Sequence, residues 1–255
     1  MTSADHPRAT AWPRRAGTAV AAAGLAAAAA GCVSTEQKAA WAHVIDARII
    51  AGQKPIVVRR PGGEVVVTGV ALVREGPRLA IAVSLSNRTG RVLNDIPISV
   101  GVRTRGGPPR YLNRAAGLGY FESHLAVIPA GGHSTWVFTA RRVRRLSGRP
   151  FAVAGRESVP PVTVARTLPA VSAVASPARS LTPGARLRIT VTNRSAVPQI
   201  QLPVYAVART GRGYVAAGTT VIASLGAGQS TTTELELVGR AGRAPLQLEA
   251  LPTLF

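Results

Sequence analysis

The sequence predicts an all-β chain of two tandem β-sandwiches. Two observations carry that prediction: apolar residues that alternate with polar ones, and a stretch that occurs twice. Residues 87–107 read NRTGRVLNDIPISVGVRTRGG, and residues 193–213 read NRSAVPQIQLPVYAVARTGRG. Asn87 matches Asn193, Arg88 matches Arg194, Pro97 matches Pro203, and Arg103-Thr104 matches Arg209-Thr210, all at an offset of 106 residues. An offset held over that length without a gap marks a duplicated unit.

Periodicity says what the unit is. Leu187, Ile189 and Val191 alternate with Arg188, Thr190 and Thr192. A period of two puts the apolar side chains on one face of a strand. In the first copy, Ile81, Val83 and Leu85 alternate with Ala82, Ser84 and Ser86, and Ile96, Ile98, Val100 and Val102 continue the pattern. Gly, Pro, Asn and Ser separate these segments at the spacing of a sandwich. Asn87 and Asn193 open turns, since Asn tolerates positive φ and bonds nearby backbone.

Upstream, Val65-Val66-Val67 falls on Val171-Ser172-Ala173. Downstream the offset shrinks by about ten residues, so that Gly132 and Ser134 correspond to Gly228 and Ser230. Later, Pro150 and Ala152 fall on Pro245 and Gln247. The extra residues of the first copy lie in GGPPRYLNRAAGLGYFESH, residues 106–124.

The N-terminus reads as a targeting segment, residues 1–31. Arg8, Arg14 and Arg15 precede a short apolar run, Ala16 to Ala30, which is a secretory signal rather than a spanning helix. Gly31 and Cys32 follow, and Cys32 is the only cysteine. Ala29-Ala30-Gly31-Cys32 resembles the lipobox of bacterial lipoproteins, with Ala29 where Leu is usual. The resemblance implies a diacylglycerol on the Cys32 thiol, which becomes the first residue after cleavage. No disulfide is then expected.

Residues 32–54 are expected to form a tether, residues 55–155 the first sandwich, residues 156–161 a proline-stiffened linker, and residues 162–255 the second sandwich. The chain stops at Phe255, inside or just past the last strand, so no C-terminal anchor is expected.

Composition bears on chemistry. The chain has 31 basic and 11 acidic residues, a formal charge of +20, and only Lys38 and Lys54 are lysine. Beyond Cys32 the aspartates are Asp46 and Asp95, leaving little for a carboxylate dyad or an oriented triad. His43, His124 and His133 lack metal-ligand spacing, so neither a metal nor a catalytic set is expected. Gly211-Arg212-Gly213 reads as a hairpin turn rather than a nucleotide loop. Trp136 and Phe138 alternate on a strand and read as core.

Two features are candidate binding surfaces. Arg141, Arg142, Arg144, Arg145 and Arg149 fall within nine residues and would attract an anionic surface. Tyr111, Tyr120 and Phe121 place aromatics in the first-copy insertion, where they would either anchor a partner or cover an open edge of the sandwich. Nucleic acid is not expected as partner, because the chain is exported and poor in stacking aromatics.

The Val/Ile strands, the Asn-x-Ser/Thr turns and the PAGG and GAGQS turns resemble the immunoglobulin-like modules of bacterial envelope proteins. With the lipobox, the whole resembles an actinobacterial-type lipoprotein with tandem immunoglobulin-like domains. That resemblance implies a lipid-anchored protein on the extracytoplasmic face of the cell membrane. It would be a non-enzymatic interaction or assembly module, binding an envelope protein or an anionic envelope polymer. The alternative is a carrier or binder of an anionic lipid or glycan, using the insertion and the Arg cluster.

Overall fold

The computed structural model describes residues 56–115, 117–141, 143, 146–158, 168–176, 184–211 and 213–254. The signal segment, Cys32 and the rest of the tether, Arg142, Arg144, Arg145 and the proline pair of the linker lie outside the described residues.

The first sandwich runs β1 (Val65–Glu75), β2 (Arg78–Asn87), β3 (Leu93–Arg103), β4 (Arg110–Tyr111), β5 (His124–Ile128), β6 (His133–Ala140) and β7 (Arg149–Ala154). The second runs β8 (Val171–Ala175), β9 (Arg186–Asn193), β10 (Gln199–Thr210), β11 (Gly213–Leu225), β12 (Ser230–Glu236), β13 (Val238–Gly239) and β14 (Leu246–Ala250). Every strand pair is antiparallel. In the first copy, the sheet β1-β2-β6 faces a sheet centred on β3, which pairs with β4, β5 and β7. In the second, β12-β9-β8 faces β13-β11-β10-β14. These are two tandem immunoglobulin-like β-sandwiches.

The alternation read from sequence is realised. Leu79, Ile81, Val83 and Leu85 of β2 meet Ile96, Ile98, Val100 and Val102 of β3, with Trp136 and Phe138 of β6 fully buried among them. Leu187, Ile189 and Val191 occupy the matching place in the second core. Thr210 pairs with Gly213 to close the β10–β11 hairpin at the glycine turn.

The duplication extends to individual hydrogen bonds. The Asn87 amide donates to the carbonyls of Arg91 (2.7 Å) and Pro129 (2.8 Å) and accepts from the Thr89 N–H and hydroxyl (both 2.8 Å). The Asn193 amide donates to Val197 (2.8 Å) and Gly226 (3.1 Å) and accepts from the Ser195 N–H (3.0 Å) and hydroxyl (2.7 Å). Each Asn therefore ties its own turn to the turn before β6 or β12. Positive φ lies elsewhere, at Asp95 (51°) and Gln201 (53°), which are themselves one repeat apart.

Register corrects the sequence alignment downstream. Ser86 pairs with His133 and Thr192 with Ser230, so His133, rather than Ser134, is the equivalent of Ser230. Val100 pairs with Ala152 and Ala206 with Leu248, so Ala152 matches Leu248 rather than Gln247. Turn glycines and prolines drew both matches one residue short, and in a strand one residue reverses every facing.

The insertion breaks what is one long strand in the second copy. Where β11 pairs with β10 along its length, with one bulge at Val215, the first copy has only β4, a single 3₁₀ turn at Tyr120–Glu122, and then β5. Asn113 fills the gap in the ladder. Its carboxamide accepts from the Val100 N–H (2.9 Å) and donates to the Ile98 carbonyl (2.7 Å), as a strand backbone would.

The two sandwiches fall within one compact unit and pack face to face. On β10, Val204, Ala206 and Ala208 enter their own core, while Tyr205 and Val207 join the core cluster of the first sandwich. Ala80 and Ala82 of β2, on the face opposite Ile81, are likewise fully buried. The result is four sheets in succession. One end of the interface is charged: Arg78 pairs with Glu75 and Glu236, Arg141 pairs with Glu236 (2.6 Å), and Glu75 accepts the Gly239 N–H (2.9 Å).

Ala82→Glu would bury a carboxylate between the two inner sheets, at a cost of several kcal/mol. Calorimetry should then resolve two unfolding transitions in place of one, with far-UV circular dichroism unchanged. One transition at the original temperature would contradict a shared interface. Asn87→Ala should cost about 3 kcal/mol, the upper end for stranding buried polar groups, and lower Tm by roughly 6–12 °C. Asn193→Ala should behave alike in the same thermal melts.

Candidate functional site

The structure separates the residues that sequence proximity groups together. Arg141 ends the β1-β2-β6 sheet, and its guanidinium is engaged by Glu236 across the sandwich interface. Arg149 begins β7, on the other sheet, directly opposite Arg103 of β3. Tyr120 and Phe121 are 5% and 6% exposed, so they form part of the core and offer no binding surface. The insertion turns them inward because Trp136 needs a cover. The indole N–H donates to the Phe121 carbonyl (3.0 Å), and the Tyr120 hydroxyl donates to Asp95 (2.5 Å). Tyr111 alone of the three aromatics is half-exposed.

A surface cluster assembles around Gly101. Tyr111 on β4 and Phe151 on β7 are its cross-strand partners from opposite sides. Their rings meet edge to face at 5.3 Å over the glycine. A β-carbon there would run into the Arg110 carbonyl and the Phe151 ring, so only glycine lets the rings close. The Arg103 guanidinium lies 4.9 Å from the Phe151 centroid, a cation–π contact that fixes its plane. Arg103 and Arg149 stand directly opposite each other, a like-charge arrangement that is unfavourable by itself. Among the described residues no carboxylate pairs with either, nor with exposed Arg105 and Arg110. The residue beside Arg149 is set by strand register, which sequence does not display.

A second site lies between the sandwiches, at the end of the interface away from the charged pairs. It is a cleft of about 720 Å³. Its first-sandwich side is the β1 segment Thr68–Ala71, with Ser84 of β2 and Ser134 and Thr135 of β6. Its second-sandwich side is Arg209, Tyr214 and Glu249. Two bridges flank it. The Tyr214 and Ser84 hydroxyls are 2.7 Å apart, and Glu249 accepts from the Ser134 hydroxyl (2.6 Å) and the Thr135 N–H (2.9 Å). Arg209 stacks on the Tyr214 ring at 4.9 Å.

Ser123, His124, Asp95 and Tyr120 also come together. Ser123 Oγ is 3.0 Å from His124 Nδ1, and the His124 ring stacks on Tyr120 with centroids 4.0 Å apart. Burial pushes Asp95 up, against its bond from Tyr120, and pushes His124 down, against the nearby Asp95 charge. The cluster is inside the packed interior, with none of the four more than 7% exposed, and Asp95 bonds Tyr120 rather than orienting the imidazole. That arrangement shores up the insertion and gives a substrate no approach. Among the described residues no three His, Cys, Asp or Glu side chains gather as a metal site would require.

No family model matches the sequence, and no curated protein matches it. Among solved structures the chain is similar to red sea bream transglutaminase, at 10% identity and a TM-score of 0.19, covering 74% of this chain and 32% of that one. The chain thus spans under two thirds of that protein's length, and a likeness at this score carries no argument.

Burial pushes the Glu249 carboxyl up, against the two hydrogen bonds that favour its anion. A folded pKa above the unfolded one means the folded state keeps the proton longer, so stability grows as pH falls through the folded value and levels off below the unfolded one. Glu249→Gln lacks that proton. The Tm of the unmodified protein should therefore rise relative to Glu249→Gln as pH is lowered from about 8 to about 4. A gap in Tm that stays constant across that range would contradict the burial of this carboxyl.

Proposed function

We propose that the chain is a lipid-anchored, extracytoplasmic interaction module of the cell envelope, without catalytic function, that presents the arginine–aromatic face of its first sandwich to an anionic partner. The anchor is the diacylglycerol implied for Cys32 by its lipobox-like setting. The observation that carries the partner side is the cross-strand couple Arg103 and Arg149, with no carboxylate partner among the described residues and with Arg103 over Phe151 beside Tyr111. Two arginines on directly opposed strand positions invite one anionic group between them, and the ring beneath Arg103 keeps its donors aimed outward. Half-exposed aromatics with arginine are also the composition of interface anchors. A second reading, a carrier of a small envelope ligand, draws on the inter-sandwich cleft rather than on the insertion.

In-cell crosslinking of the tagged full chain tests the first reading. Each arginine near an anionic surface is worth about 1 kcal/mol, so Arg103→Gln with Arg149→Gln should weaken partner retention by roughly 30-fold. Arg141→Gln, whose guanidinium already serves Glu236, should leave it intact. Retention that follows Arg141 rather than the Arg103–Arg149 couple would sink the assignment. Cys32→Ser should move the protein out of the high-salt-washed membrane fraction, and its persistence there would rule out lipid as the anchor.

A further inference from the structure

We propose that the cleft between the sandwiches binds a sugar-sized polyol bearing one anionic group, with Arg209 holding the anion and the hydroxyl-lined floor and far wall holding the polyol. The volume, about 720 Å³, falls within the range of small-molecule sites, about 300–1,000 Å³.

The lining sets the chemistry. Arg209 is exposed and oriented by Tyr214, and among the described residues no carboxylate pairs with it. Its flat face is occupied by the ring, which leaves its edge N–H donors for a carboxylate or phosphate. The floor is small: Gly69 and Ala71 on β1, with Ser84 beside them. The β1–β2 register skips Thr68, a bulge that leaves this residue without a ladder partner at the edge of the cleft. Ser84, Thr68, Thr135 and the Tyr214 phenol add hydroxyls along the way, and the Glu249 carboxylate closes the far wall. A purely apolar ligand would leave Arg209 and the Thr68 and Thr135 hydroxyls without partners, whereas a polyol bonds them and can share the Ser84–Tyr214 pair. Tyr205, the cross-strand partner of Glu249, is four residues from Arg209 along β10, so the cleft runs about 13 Å at the strand rise per residue. That length suits one or two sugar rings with the anionic group at the Arg209 end.

Calorimetric titration of the full chain in detergent with glucuronate, glucose 6-phosphate and methyl glucoside tests the assignment. At least one anionic probe should bind ten-fold or more tightly than methyl glucoside, and the order of the two anionic probes tells carboxylate from phosphate. Arg209→Gln should reduce that probe to the neutral level. Gly69→Val offers an independent variant. A β-carbon at Gly69 meets only Ser84, at an ordinary contact distance of 3.5 Å, so the added side chain projects into the floor and should abolish binding with far-UV circular dichroism unchanged. Arg103→Gln lies in the other site and should leave binding unchanged, which separates failure here from failure of the surface couple. Absence of binding by every probe up to about 10 mM, roughly −2.7 kcal/mol, would overturn the proposal. So would binding that survives Gly69→Val or follows Arg103.

Discussion

The arrangement depends on burying β10 on both faces. One face of that strand completes its own sandwich and the other lies against the first sandwich. A strand buried twice has no side on which to carry charge, which is why Leu202 to Ala208 reads LPVYAVA without a break. The receiving surface must then be shallow, and Ala71, Ala80 and Ala82 supply it. Where the small side chains give way to Ser84 and Thr135 the sheets part and leave the cleft. Where β1 and β2 end, Glu75 and Arg78 meet the second sandwich as charges. Cleft, apolar middle and ionic end are three stretches of one interface.

The two copies show which parts of the unit are fixed and which are free. Both keep the asparagine that ties two turns together, and both keep a non-glycine residue at positive φ one repeat apart. They differ where the first copy departs from the sheet after Tyr111. A detour inside a sheet strands backbone groups on the neighbouring strand, and Asn113 answers that with a side chain shaped like a peptide. The detour then returns Tyr120, Phe121 and His124 to the interior, closing over Trp136.

Much of the fold was legible because period-two alternation and duplication are written directly in residue order. Trp136 and Phe138 read as core, and the Gly211–Gly213 turn read as a hairpin, for the same reason. What failed were features set by pairing across the chain. The downstream match was one residue short because glycines were aligned with glycines, while hydrogen bonding decides register. The aromatics of the insertion were ambiguous because a loop can face in or out, and the deciding residue, Asn113, has no signature in sequence. Arg149 was visible, but its neighbour Arg103 lies 46 positions away and is brought beside it only by the β3–β7 pairing. The docking of the sandwiches was signalled by the unbroken apolar run of β10 and by alanines alternating with larger residues in β2.

The inter-sandwich interface is unequal in its two halves, and that inequality bears on how the chain is made. The first sandwich contributes Gly69, Ala71, Ala80, Ala82 and Ser84 with Val73 and Val137, a surface of mostly small side chains. The second contributes Tyr205 and Val207, which are sticky when bare. Synthesis delivers the first sandwich first. The half that waits alone is therefore the one with the smaller side chains on its exposed face, and the aromatic half emerges only when its template is already folded beside it.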